Sequence, residues 1–195
     1  MLTRYVLSFA VLLGFIQVTV AQRSSAPQPY ADKDAYDVYN ALLATSAPDD
    51  STIAIQQETV TISSGPDADW GSPEPESCMA PETARVFKDA ISDYDQLNTR
   101  EWLLQRKFAR SAYEILDSKT TKILFQDDQR ENFYKRFPGG HYVMSAVGFS
   151  KDRQRAIVFF GHTCGDLCGA WSLHLLEKSD GRWHEVDGVT CVTVS

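Results

Sequence analysis

Gly140–Ser195 reads GHYVMSAVGFSKDRQRAIVFFGHTCGDLCGAWSLHLLEKSDGRWHEVDGVTCVTVS, and this stretch decides the fold. Before it, apolar residues recur at helical spacing. From Tyr142 on the period drops to two, and β-branched and aromatic residues take over. Tyr142–Phe149 and Arg155–His162 form two strand-like runs joined by Ser150-Lys151-Asp152-Arg153-Gln154. The turn Gly161-His162-Thr163-Cys164-Gly165-Asp166-Leu167-Cys168-Gly169 leads to a third run, Ala170–Lys178. Ser179-Asp180-Gly181 leads on to Arg182–Val186, and Gly188 permits a kink before Val189–Val194. Connections this short join antiparallel neighbours, so a C-terminal meander of four or five strands is expected. With helices from the N-terminal half packed on one face, the class is α+β, cystatin-like or NTF2-like by analogy of layers alone.

Working outward, Asp32 or Asp34 caps a helix running to Thr45, with Ala35, Val38, Tyr39, Leu42 and Leu43 on one stripe. Thr52–Ile62 reads as a strand bent near Gln56-Gln57. Residues 63–81 hold Pro, Gly, Ser and acids without periodicity and form a long loop, in which Trp70 is a binding aromatic or a cover for a core edge. Pro81 opens a helix whose stripe is Val86, Phe87, Ala90, Ile91 and Tyr94. Asn98 with Glu101 reads as a capping pair for a short segment burying Trp102, Leu103 and Phe108. Tyr113–Leu116 is a short strand, and Ser118 caps a helix, Lys119–Phe125, with Ile123, Leu124 and Phe125 as core residues. Asp127–Phe137 is a further short helix, stopped by Pro138-Gly139-Gly140.

The first 21 residues have the form of a signal peptide. Arg4 is the positive n-region, Tyr5–Ile16 an apolar run too short to span a bilayer, and Thr19-Val20-Ala21 a small-residue cleavage site. Residues 22–31 then form a polar, mobile leader, and 32–195 a single domain. No later run is long and apolar enough for a membrane span, so a secreted or periplasmic location is expected. A net charge of −7 gives no basic field for a phosphate backbone, which argues against nucleic acid and suits a basic exported protein as partner.

Three stretches carry a resemblance. They are Tyr113-Glu114-Ile115-Leu116 with Ser118 and Ile123-Leu124-Phe125; Phe133-Tyr134-Lys135-Arg136-Phe137-Pro138-Gly139 leading to Ser145-Ala146-Val147-Gly148-Phe149; and Gly161-x-x-Cys164-Gly165-x-Leu167-Cys168-Gly169 with Leu175-Leu176-Glu177-Lys178 and Gly181-Arg182-Trp183. Together they resemble an uncharacterised family of secreted bacterial proteins with a C-terminal β-meander carrying a G-x-x-C-G-x-L-C-G turn. The resemblance implies export and architecture, and no chemistry. Cys191 departs from that family's pattern.

In an exported chain Cys78, Cys164, Cys168 and Cys191 are read as disulfide-formers. One arrangement closes the turn through Cys164 and Cys168 and joins the long loop to the last strand through Cys78 and Cys191; the swapped pairings stay open. A metal is the other reading. Register run outward from Phe149 opposite Arg155 brings His141 close to His162, so His141, His162, Cys164 and Cys168 make a His2Cys2 set of tetrahedral zinc type, provided the sulfurs are reduced. A thiolate nucleophile at Cys164 beside His162 has the same requirement. His174 and His184 read as ordinary face residues, Trp171 and Trp183 as sheet-face core, and Glu177 and Glu185 as a loose pair across the last hairpin. There is no Gly-x-Ser-x-Gly elbow, no His-Glu-x-x-His and no phosphate-cradling glycine loop, and no cofactor is expected. The leading expectation is a non-enzymatic secreted or periplasmic binding or accessory domain, with an acidic inhibitor of a basic exported enzyme as its concrete form. A small metal-binding protein or hydrolase using the His162/Cys164 end is the alternative.

Overall fold

The long hairpin of β7 (Arg155–Gly165) and β8 (Cys168–Ser179) is the spine of the structure, a computed structural model describing residues 26–48, 50–61, 75, 79–126, 129–165, 168–186 and 192–194. The expected signal peptide and most of the 63–81 loop, with Trp70, lie outside those residues. The hairpin is antiparallel from Arg155↔Glu177 to Gly165↔Cys168, with a register shift between Thr163 and Gly165. At its other end Asp180 and Gly181 take φ of 50° and 75°, the positive values a tight hairpin turn requires, and return the chain as β9 (Arg182–Glu185) along β8. The last strand, Val192–Val194, which we number β10, pairs with the opposite end of β8.

The far edge of β7 shows the first departure from expectation. One strand was expected over Tyr142–Phe149; instead β5 (His141–Met144) and β6 (Gly148–Phe149) flank a break at Ser145-Ala146-Val147. The break is buried, so its backbone polar groups need partners; Ser145 N still donates to Phe159 O at 3.0 Å, and side chains satisfy the others. Tyr39 Oη donates to Ser145 O at 2.7 Å. The Asn98 amide accepts from Ala146 N at 2.8 Å and donates to Ala146 O at 3.1 Å. Tyr30 Oη accepts from Val147 N at 3.0 Å. Burial pushes both tyrosine hydroxyls above their usual pKa, which keeps them protonated.

Two strands come from the chain before the meander. β2 (Ile53–Gln56) runs parallel to β5 on one side and to β4 (Tyr113–Leu116) on the other, giving the order β10-β8-β7-β5-β2-β4. The sheet is therefore mixed, which corrects the purely antiparallel meander. Both its faces are covered, which corrects the packing of helices on one face. Alternation shows why. Tyr142 and Met144 join Ile53 and Ile55 against α1 (Lys33–Ser46), whereas Val143 joins the cluster of α3 (Lys88–Leu97), with Ala90, Ile91 and Tyr94. On that second face Ala54 packs under Phe133 of α5 (Arg130–Arg136) and Phe137, the C-cap of that helix, near α4 (Ser118–Leu124).

Other corrections follow from hydrogen bonding. Asp32 is the N-cap of α1, its carboxylate accepting from Asp34 N at 3.0 Å and Ala35 N at 3.4 Å, and Tyr36 joins the expected stripe. The leader is docked from Gln28 on: β1 (Gln28–Pro29) pairs parallel with β3 (Trp102–Leu103), and Tyr30 is buried. The strand expected to Ile62 ends at Gln56, after which Glu58 and Val60 make single bridges to Leu103 and Ser145. The Pro81 helix divides into α2 (Pro81–Val86) and α3, with Phe87 between them at φ −94°, ψ 7°, and Val86 turned to solvent. Asn98 closes α3 rather than opening the short segment that follows it, and Asp117, not Ser118, caps α4 by accepting from Thr120 N at 2.7 Å. Ile123 is half exposed. Gly148 is required where it stands: a Cβ there would lie 2.4 Å from Ala90 O and from Tyr94 N, so α3 reaches β6 only over a glycine.

Asn98→Ala strips two partners from the buried Ala146 peptide groups. It is expected to cost about 3 kcal/mol, read as a lower urea midpoint at unchanged m-value.

Candidate functional site

Cys164 and Cys168, facing each other at the hairpin tip with Cα atoms 5.1 Å apart, are at disulfide distance. Cys78 and Cys191 lie outside the described residues. The register sets His141 opposite Thr163 and Tyr142 opposite His162, so the two histidines occupy opposite faces of the sheet. His162 stacks on Tyr142 with ring centroids 4.6 Å apart, on the α1 face. His141 meets Phe125 at 5.2 Å and Phe133 at 6.1 Å, on the other. The His2Cys2 set is thus not brought together: one residue of register separates the imidazoles, and the sulfurs are paired with each other. Among the described residues no group of three or more His, Cys, Asp or Glu is placed to hold a metal ion.

The structure puts His141 to another use. A cavity of about 520 Å³ opens on its face of the sheet, roofed by α4 and the turn that follows. β4 is an edge strand, and α4 begins directly after it at Asp117, so the chain turns back over β2 and β5. Phe125 packs on Phe133 of α5 at 4.6 Å, and Arg136 ties α5 to Glu114 of β4 at 2.6 Å. Phe125 belongs with the α5 cluster, Val143 and Trp171 with the α3 cluster, and these three form the apolar lining between the two. Polar groups enter from the sheet at Gln56, His141 and Thr163, and from α4 at Ser118 and Thr121. Lys122, Gln126 and Arg130 complete the lining.

Two atoms define the chemistry. His141 Nε2 and Thr121 Oγ1 are buried and have no hydrogen-bond partner in the protein, on residues only 7% and 8% exposed. Leaving such a group unmatched costs about 1–3 kcal/mol, and both belong to the lining of this cavity. Burial pushes His141 down from 6.5 to about 4, with the neighbouring charge of His162 adding to the effect. The ring is therefore neutral at pH 7, with one N–H and one lone pair. The cavity presents an uncharged imidazole and a hydroxyl inside an apolar wall. It contains no nucleophile–base pair among the described residues.

Sequence reasoning singled out His141, for a different ligand set, and took Trp171 as core, which it is. Thr121 was missed, although a signal existed: it shares a helix face with Phe125 at i, i+4, a polar residue on the side that packs. Gln56 and Arg130 carried no signal. Comparison of the chain with protein-family models, curated proteins and solved structures finds no match.

Two outcomes are expected. Thr121→Val, which deletes an unmatched hydroxyl at constant shape, leaves the unfolding free energy unchanged or raises it by up to about 1 kcal/mol; chemical denaturation reads this. Above pH 6.5 His141 is neutral folded and unfolded; between 6.5 and about 4 only the unfolded chain takes up its proton. Stability therefore falls as pH falls through that window, by about 1.4 kcal/mol per pH unit at its steepest. In denaturation curves at a series of pH values, His141→Phe flattens this slope.

Proposed function

We propose that the protein is an exported binding domain whose cavity beneath α4 takes a small amphipathic acid. The apolar body lies against Phe125, Val143 and Trp171. The carboxylate, an acceptor at both oxygens, meets the imidazole N–H of His141 and the hydroxyl of Thr121. The observation that carries this reading is the pair of buried polar atoms, on different elements, lacking protein partners and lining one cavity. Charge supports the sign of the head group: in a chain of net charge −7, the described lining holds Lys122 and no carboxylate. The volume fits the lower part of the range for small-molecule sites, and the mixture of apolar wall with a few polar groups is typical of them. Export is supported by the N-terminal segment and by the cysteine pair at the hairpin tip. The acidic balance also suits a basic protein partner in a general way, but it points to no surface, whereas the unmatched atoms point to a site.

The test is calorimetric titration of the purified protein with a panel of aromatic and short aliphatic carboxylates, each beside its amide and its alcohol. Saturable one-to-one binding is expected, strongest for the acids. Thr121→Val should weaken it by up to about tenfold, the worth of one hydrogen bond, without lowering the stability of the free protein. Absence of saturable binding across the panel, or binding indifferent to Thr121→Val and His141→Phe, removes the reading.

A further inference from the structure

β8 carries a second set of polar groups, independent of the cavity and on the opposite face. Trp171 and Leu173 point to the α3 side, so Ser172 and His174, alternating with them, point to the α1 side, where the register puts Phe160 and Val158 beside them. Ser172 Oγ lies 2.6 Å from His174 Nε2, and His174 Nδ1 lies 2.5 Å from Glu185 Oε1 on β9. Glu185 accepts only, so the imidazole proton sits on Nδ1, and Nε2 is left as the acceptor for the serine hydroxyl. The hydrogen bond from His174 holds the Glu185 carboxyl below its usual range, which keeps it ionised.

This is the order of atoms an acyl-transfer relay needs: hydroxyl, base, and a carboxylate that fixes the tautomer, recognisable by geometry whatever the order in the chain. All three sit on paired strands, so their spacing is set by the sheet. The serine side is open to solvent in part, His174 has a side-chain exposure of 15%, and Glu185 one of 47%. A carboxylate so exposed adds little to stability through its pairing, so reactivity is the property that distinguishes the arrangement.

We propose that Ser172 is a nucleophile, with His174 as its general base and Glu185 as a positioning residue, that accepts the acyl group of small activated esters. Ser172 Oγ bonds to the ester carbonyl carbon while its proton passes to His174 Nε2. The carbon–oxygen bond to the leaving alcohol or phenol breaks, and that oxygen takes the proton from His174. Water then attacks the acyl-serine, gives its proton to His174, and releases the carboxylic acid; the Ser172 hydroxyl recovers the proton. The ring of Phe160, edge-on to His174 with centroids 5.7 Å apart, makes the nearby wall apolar and suits a short apolar acyl group. Ser172 is paired on both sides, with Phe160 and Val192, so its own N–H lies in the ladder. Without that donor for the developing oxyanion, activated esters are within reach and amides are not.

The full exported protein is treated with a fluorophosphonate probe, and adducts are mapped by peptide mass spectrometry; hydrolysis of p-nitrophenyl acetate is followed in parallel. One adduct at Ser172 is expected, with ester hydrolysis, both lost in Ser172→Ala. His174→Gln should slow labelling by at least about 100-fold, the contribution of a general base. Glu185→Gln, at an exposed position that does not threaten folding, should slow it as well and stands in if His174→Gln does not fold by circular dichroism. No adduct at Ser172 under conditions that label a known serine esterase to completion, or an adduct whose rate ignores both Glu185→Gln and a folded His174→Gln, overturns the proposal.

Discussion

The break at Ser145-Ala146-Val147 is the constraint on which the rest of the structure depends. Ser145 still donates its N–H to Phe159 O, but Ala146 and Val147 leave the ladder in the middle of a covered sheet, and the peptide groups of the break cannot reach water. Tyr39 from α1, Tyr30 from the segment before it and Asn98 from the end of α3 each supply the hydrogen bonds. An unmatched buried amide or carbonyl costs about 1–3 kcal/mol, a large share of the stability of an ordinary domain. So three N-terminal elements are placed by one defect in a C-terminal strand. Tyr39 and Tyr30 come from the face α1 covers, and Asn98 from the helix on the other. The same interaction sets how the two helical layers lie on the sheet.

What could be read in the sequence follows from the range of each interaction. β7, β8 and β9 were legible because alternation and a short turn are local: Arg155–Phe160 and Ala170–Leu176 announce themselves, and Asp180-Gly181 fixes the return. α1 was legible for the same reason, from its stripe and Asp32. The strand break was not, because Ser145-Ala146-Val147 has nothing in it that forbids a strand; the cause lies 48 residues away in Asn98 and further still in Tyr30. Nor was the parallel pairing of β2 with β4 and β5, which rests on crossovers no local pattern encodes. Asn98 was misread for an instructive reason: a residue that caps helices well on either side of a boundary is ambiguous until the partner of its amide is known.

At the candidate sites, the decisive quantity was one residue of register. Extrapolation from Phe149 opposite Arg155 brought His141 close to His162; Phe149 in fact lies opposite Ala156, and being on neighbouring strands is not the same as sharing a face. With Thr163 opposite His141 and Tyr142 opposite His162, the imidazoles diverge, one into the cavity and one onto a tyrosine ring. A zinc site needs its ligands on one side, and the sheet denies that. The same alternation divides β8, where Trp171 helps to line the cavity and Ser172, the next residue, begins the hydrogen-bonded chain on the other face.

The two faces then have opposite electrostatic logic. His141 is enclosed, loses its charge to desolvation and is left with an unmatched nitrogen, so it can recognise but has no partner to move a proton for. His174 is matched at both ring nitrogens, by a carboxylate on one side and a hydroxyl on the other, so the fold fixes the orientation of its ring. Sequence composition treats these as two histidines among four. What separates them is the neighbour each strand position selects: Phe125 and Phe133 around one, Ser172 and Glu185 around the other. A binding residue and a base therefore differ here not in kind but in whether the surrounding fold matches the imidazole or leaves it wanting a partner.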